Sequence, residues 1–127
     1  MNTFKLNHLH IVCSDLQNMV RFWTEGVGAD LICYRTFGNA DGAVLNLDGL
    51  RISLRLPKEN EQVRERRQNS FGYDHLGLEV NDLDDACNHL ADFACKIDSG
   101  PFKREGRKTV FLKGPDNVVL ELMQIDF

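Results

Sequence analysis

The chain has 127 residues, with 43% apolar and 27% charged side chains, a globular mix that fits one compact domain or two small halves sharing a core. Fifteen basic against nineteen acidic residues leave a net charge of −4, so no basic excess exists to hold a phosphate backbone, and nucleic acid is not an expected partner. No apolar run is long enough to cross a bilayer, no membrane partner is expected, and the amino terminus MNTFKLNHLH lacks the apolar run of a signal peptide; the cytoplasm is the expected compartment.

LNHLHIV alternates, with Leu9 and Ile11 on one face and His8, His10 and Val12 on the other, which predicts a strand. Ser14 to Gln17 has the form of a capping box, so a helix starts there. Leu16, Met19, Val20, Trp23 and Val27 follow at helical spacing and predict one core-facing stripe, ended by Gly26 and Gly28. Strands are expected near 30–37, 42–47 and 50–56, with turns at Gly38-Asn39 and Asp48-Gly49. The segment KENEQVRERRQNS, 58–70, reads as a solvated, charged connector. A fifth strand, opening the second half, carries His75. Asn81 can then cap a helix whose stripe is Leu83, Ala86, Cys87, Leu90 and Ala94. Strands near 95–99, 107–113 and 117–124 complete the chain, the last entered through a turn at Pro115-Asp116-Asn117. Cys13, Cys33, Cys87 and Cys95 form no C-x-x-C pair and read as small, mostly buried thiols.

The two halves repeat. HLHIVCSDL at 8–16 aligns with HLGLEVNDL at 75–83, an offset of 67, and DGLRISL at 48–54 aligns with DNVVLEL at 116–122, an offset of 68. Two matches in the same order at nearly one offset predict an α+β chain of two β-α-β-β-β modules, 5–57 and 71–127, inside a single domain 1–127. A sheet that buries one face under its helix leaves the other face for a cleft. Alternation sends His8, His10, His75, Arg51, Ser53, Arg55, Val119, Glu121 and Met123 to that face. His8 and His75 hold equivalent positions, and Glu121 shares their face. Two imidazoles and one carboxylate form a metal-ligand set that leaves coordination positions open. Arg51 and Arg55 suit capture of an anionic substrate. Thr109 and Phe111 share one register on the neighbouring strand, Phe111 as an apolar wall. His89 reads as a surface histidine.

LNHLHIVCSDL followed by VRFWTEGVG, then YDHLGLEVNDL, then FLKGPDNVVLELMQ, resembles the vicinal oxygen chelate superfamily over roughly residues 6–125. That superfamily includes glyoxalase I, fosfomycin-resistance proteins, extradiol dioxygenases, methylmalonyl-CoA epimerase and bleomycin-resistance proteins. The resemblance implies two βαβββ modules forming a partly open barrel, with His8, His75 and Glu121 as ligands of one divalent metal ion (zinc, nickel, manganese, iron or magnesium). It also implies a homodimer with sites at or near the interface, His8 coming from one chain and His75 and Glu121 from the other. The chemistry implied is chelation of two vicinal oxygens of a small, anionic substrate through a metal-stabilised oxyanion, of lyase, isomerase or epimerase type. His10, Glu121 and a metal-bound water are the candidate bases, and Ser53 can orient such a water. Ser53 stands where glyoxalase I has a second metal carboxylate, and Phe111 stands where extradiol dioxygenases have an acid/base tyrosine. An iron-dependent ring-cleaving oxygenase and a non-catalytic ligand-sequestering protein are the alternatives.

Overall fold

The computed structural model describes residues 1–125. The chain divides into two compact units, Met1–Val63 and Arg64–Phe127. The first contains β1 (Leu9–Val12), α1 (Leu16–Arg21) continued by a π-helical turn (Phe22–Val27), β2 (Asp30–Phe37), β3 (Ala40–Leu47) and β4 (Leu50–Arg55). The second contains β5 (Leu76–Glu79), α2 (Leu83–Ala91), β6 (Lys96–Arg104), β7 (Arg107–Lys113), a 3-10 turn (Pro115–Asn117) and β8 (Val119–Ile125). The sheets run β1-β4-β3-β2 and β5-β8-β7-β6, so the two modules share one topology. In each, the first strand lies parallel to the last and the other pairings are antiparallel.

Both helices start at an aspartate. Asp15 is extended and its carboxylate accepts a hydrogen bond from the Asn18 amide at 3.0 Å. Asp82 does the same for Asp85 at 2.9 Å. The caps expected at Ser14 and Asn81 are thus each corrected by one residue. A carboxylate at this position both satisfies an end amide and meets the positive end of the helix dipole. Gly28, at φ 95°, ends the π-helical turn in the left-handed region that favours glycine.

Helix α1 packs on β3 and β4, where Met19, Val20 and Trp23 join Leu45, Ile52 and Leu54 in a buried layer. Helix α2 packs on β6, β7 and β8, where Leu83 and Leu90 join Val110, Leu112, Leu120 and Leu122. Each such side chain contributes about 1.5–3 kcal/mol by leaving water. The other side of each sheet carries the candidate residues.

Several boundaries differ from expectation. His8 and His75 each stand one residue before their strands, not within them. Strand β3 starts at Ala40, β6 runs on to Arg104, and β8 begins only at Val119, since Asp116 and Asn117 adopt left-handed φ of 54° and 58°. Cys13 and Cys95 are buried, but Cys33 is exposed on edge strand β2 and Cys87 is only half-buried on α2. Segment 58–70 is exposed except at Arg66.

Candidate functional site

The second module brings His75 and Glu121 together. Parallel pairing of Leu76 with Leu120 and Gly77 with Glu121 sets the heights of β5 and β8. His75, just before β5, then reaches Glu121 on the open face, with Nε2 at 3.2 Å from Oε1. Its other nitrogen, Nδ1, lies 2.8 Å from the Asp74 carboxylate. Asp74 thereby orients the ring and favours a proton on Nδ1, the arrangement common among histidines that bind metals. Phe111 on β7 pairs with Glu121 on β8 and meets the His75 ring edge-on at 5.1 Å. Gly77 leaves space beside the carboxylate: a Cβ there would sit 3.8 Å from Glu121 Oε1. Thr109 lies buried opposite Met123, one pleat further along.

Nε2 and Oε1 both carry lone pairs, so a proton or a cation must stand between them for the contact to be favourable. Two ligands bound side by side at about 2.1 Å from one metal stand roughly 3.0–3.4 Å apart in octahedral or tetrahedral geometry. The 3.2 Å separation falls in that range, so the pair fits a divalent ion. Among the described residues, no three His, Cys, Asp or Glu side chains stand together as a ready metal cluster. The described pair is one imidazole and one carboxylate.

The first module carries His8, whose Nδ1 lies 2.7 Å from Asn7 Oδ1, the same neighbour relation as His75 with Asp74. His10 follows on the open face, opposite buried Ser53. Its ring lies 6.1 Å from that of His8 and meets Phe37 edge-on at 4.9 Å. Burial, then the positive charge of Arg55, holds the His10 pKa below its ordinary value, so the ring is neutral at pH 7.

Arg55 is engaged. Its guanidinium donates to both oxygens of Glu61, at 2.8 and 3.0 Å, a fork-on-carboxylate pair. Arg51 is exposed on β4 and Arg35 lies over the Phe37 ring at 5.0 Å. Neither has a carboxylate partner among the described residues. Sequence reasoning missed Asp74, Arg35 and Phe37. The signal for the last two was present: Arg35 pairs with Gly42 and Phe37 with Ala40, the register of the open face.

Comparison with known proteins agrees with this architecture. The profile of the Glyoxalase/Bleomycin resistance protein/Dioxygenase superfamily matches residues 5–122. The chain is 26% identical over 124 residues to the uncharacterized protein YwkD of Bacillus subtilis, covering 94% of this chain and 95% of that one. It is 25% identical to the lactoylglutathione lyase of Schizosaccharomyces pombe, covering 97% of this chain but only 48% of that enzyme, so it spans about half of that relative. Among solved structures, a glyoxalase family protein of Bacillus cereus superposes with a TM-score of 0.87 at 16% identity, covering 100% of this chain and 97% of the other. A mutant of the fosfomycin resistance protein FosX from Listeria monocytogenes, complexed with Mn(II) and 1S,2S-dihydroxypropylphosphonic acid, superposes at 0.77 with 16% identity, covering 99% and 95%. With two βαβββ modules of one topology and a profile match over most of its length, the chain belongs to the Glyoxalase/Bleomycin resistance protein/Dioxygenase superfamily.

Proposed function

We propose that the protein is a divalent-metal-dependent enzyme acting on a small anionic substrate with two vicinal oxygens, by lyase, isomerase or epimerase chemistry. The observation that carries this reading is the His75–Glu121 pair, spaced at 3.2 Å and oriented by Asp74. His8, the repeat equivalent of His75, is the third ligand, supplied by this chain or by a second copy. Bound there, a divalent ion supplies Lewis acidity toward a substrate oxygen that gains negative charge. Phe111 packs edge-on against the His75 ring and gives it an apolar neighbour. His10, neutral on the open face, accepts the substrate proton. Arg51 and Arg35 bind the anionic group, and the engagement of Arg55 by Glu61 shifts that role to them. The names of two relatives support the class. One is a lactoylglutathione lyase, and the other binds Mn(II) together with a phosphonate bearing two adjacent hydroxyls.

We also infer a homodimer. Phe4, Leu6, Phe71 and Tyr73 are 94%, 83%, 109% and 98% exposed, and the first two match the last two at the repeat offset. In each unit, two large apolar side chains at repeat-related positions stand exposed, and a second copy would cover them.

Mn(II) binding tests the ligand assignment. Glu121→Ala and His75→Ala should each weaken Mn(II) by more than about 100-fold, beyond the range of outer-sphere changes, while Ser53→Ala leaves it unchanged. Parent-like affinity in folded Glu121→Ala would overturn the assignment.

A further inference from the structure

We propose that Arg66 is a positioning residue for His75 and Glu121: the connector, and not the sheet alone, sets the spacing of this pair. The proposal rests on the reading of those two side chains as metal ligands. The ladder between β5 and β8 begins at Leu76 and Leu120, so His75 lies outside it. Arg66 closes the gap. Its Nη2 donates to the carbonyls of Tyr73 at 3.0 Å and Asp74 at 2.7 Å, the two residues that lead into His75. Its Nη1 donates to the carbonyl of Asn117 at 3.4 Å, in the turn that leads into β8 and Glu121. Asn117 returns the contact, since its Nδ2 donates to the Arg66 carbonyl at 3.0 Å and to Glu65 Oε1 at 3.1 Å.

One guanidinium thus holds the entry of both ligand-bearing strands. The turn that it grips is a demanding one, because Asp116 and Asn117 are both left-handed and neither is glycine. Arg66 is also half-buried within a segment whose other residues are exposed. A planar fork can serve three carbonyls on two chain segments at once, whereas a lysine ammonium carries its three donors on one nitrogen at the end of a flexible stem. The link to the ligand is direct: Asp74 gives its carbonyl to Arg66 and its carboxylate to His75 Nδ1. Freeing that backbone turns the imidazole and changes the distance to Glu121. A displacement of about 0.5 Å is enough to weaken a site of this kind.

Co(II) is the probe, because its visible absorption reports coordination geometry as well as occupancy. The full-length Arg66→Ala, Arg66→Lys and Asn117→Ala variants are titrated beside the parent, with circular dichroism as the check on folding. Arg66→Ala should lose about 10- to 100-fold in Co(II) affinity with an altered visible band, and Arg66→Lys should recover only part of this. Should Arg66→Ala fail to fold, Arg66→Lys carries the test alone. Parent affinity and parent band in the folded Arg66 variants overturn the proposal. Loss of binding in His75→Ala and Glu121→Ala beside parent-like Arg66 variants leaves the ligands standing and removes Arg66. Parent-like binding in His75→Ala and Glu121→Ala removes the ligand reading, and the role of Arg66 falls with it.

Discussion

His8 and His75 are the same residue in two copies of one motif, but their neighbours differ. The Nδ1 of His8 meets a neutral amide and that of His75 a carboxylate. A carboxylate behind a ligating imidazole fixes its tautomer and raises its basicity. Asp74→Asn should therefore weaken Mn(II) by about 10-fold or more, read by competition with a chelator, and an unchanged affinity would deny Asp74 this role. Arg55 and Glu61 make a second residue-scale prediction. The hydrogen bond from Arg55, helped by the Lys58 amide, lowers the Glu61 pKa from 4.5 to about 2. The folded pKa lies below the unfolded one. The pair's contribution to stability is therefore complete above pH 4.5 and is lost as pH falls toward 2. Carbon-13 titration should place the Glu61 midpoint near 2 and return it toward 4.5 in Arg55→Ala; a parent midpoint near 4.5 would contradict the pairing. At this scale alternation could be read from sequence but partners could not. His10, Ser53 and Arg55 share a register in any alternating strand. That Arg55 is engaged depends on where the chain after Leu56 returns, and no periodicity encodes that.

Strands and helices were legible because burial on one face imposes periods of 2 and 3.6. Their ends were less so. Ser14 and Asp15 are both good capping residues, and backbone direction decides between them. Asp15→Ala and Asp82→Ala should each cost about 1 kcal/mol in denaturant unfolding, while Asn81→Ala costs little. The π-helical turn at Phe22–Val27 left no trace in the pattern, since Met19, Val20 and Trp23 satisfy an α-helical stripe as well. Gly42 is a further element-scale feature. A Cβ there would strike the Leu54 carbonyl oxygen and come 2.5 Å from Phe37 Cδ2. Gly42→Ala should therefore cost about 1–3 kcal/mol, measured by urea unfolding, and would displace the ring that underlies Arg35. A neutral Gly42→Ala would mean that β4 and the Phe37 ring yield easily at this point.

Duplication is the property of the whole molecule that the sequence showed most clearly. The matched segments at offsets of 67 and 68 became two sheets of identical strand order. The repeat is also where the site becomes asymmetric. The register that pairs His10 with Ser53 in one module pairs Gly77 with Glu121 in the other, so one copy keeps the carboxylate and the other the extra imidazole. Among the described residues, no helix is long and apolar enough to cross a membrane. The exposed Phe4, Leu6, Phe71 and Tyr73 predict sedimentation at twice the chain mass, shifted toward the monomer by Phe71→Ser. A parent that sediments as a monomer at tens of micromolar would contradict the dimer. X-ray absorption of the Zn(II)-loaded protein tests the central claim most directly. Two imidazoles and one carboxylate should surround the ion, with one imidazole lost in His75→Ala. A spectrum without imidazole scattering, or one unchanged in both His75→Ala and Glu121→Ala, would contradict it.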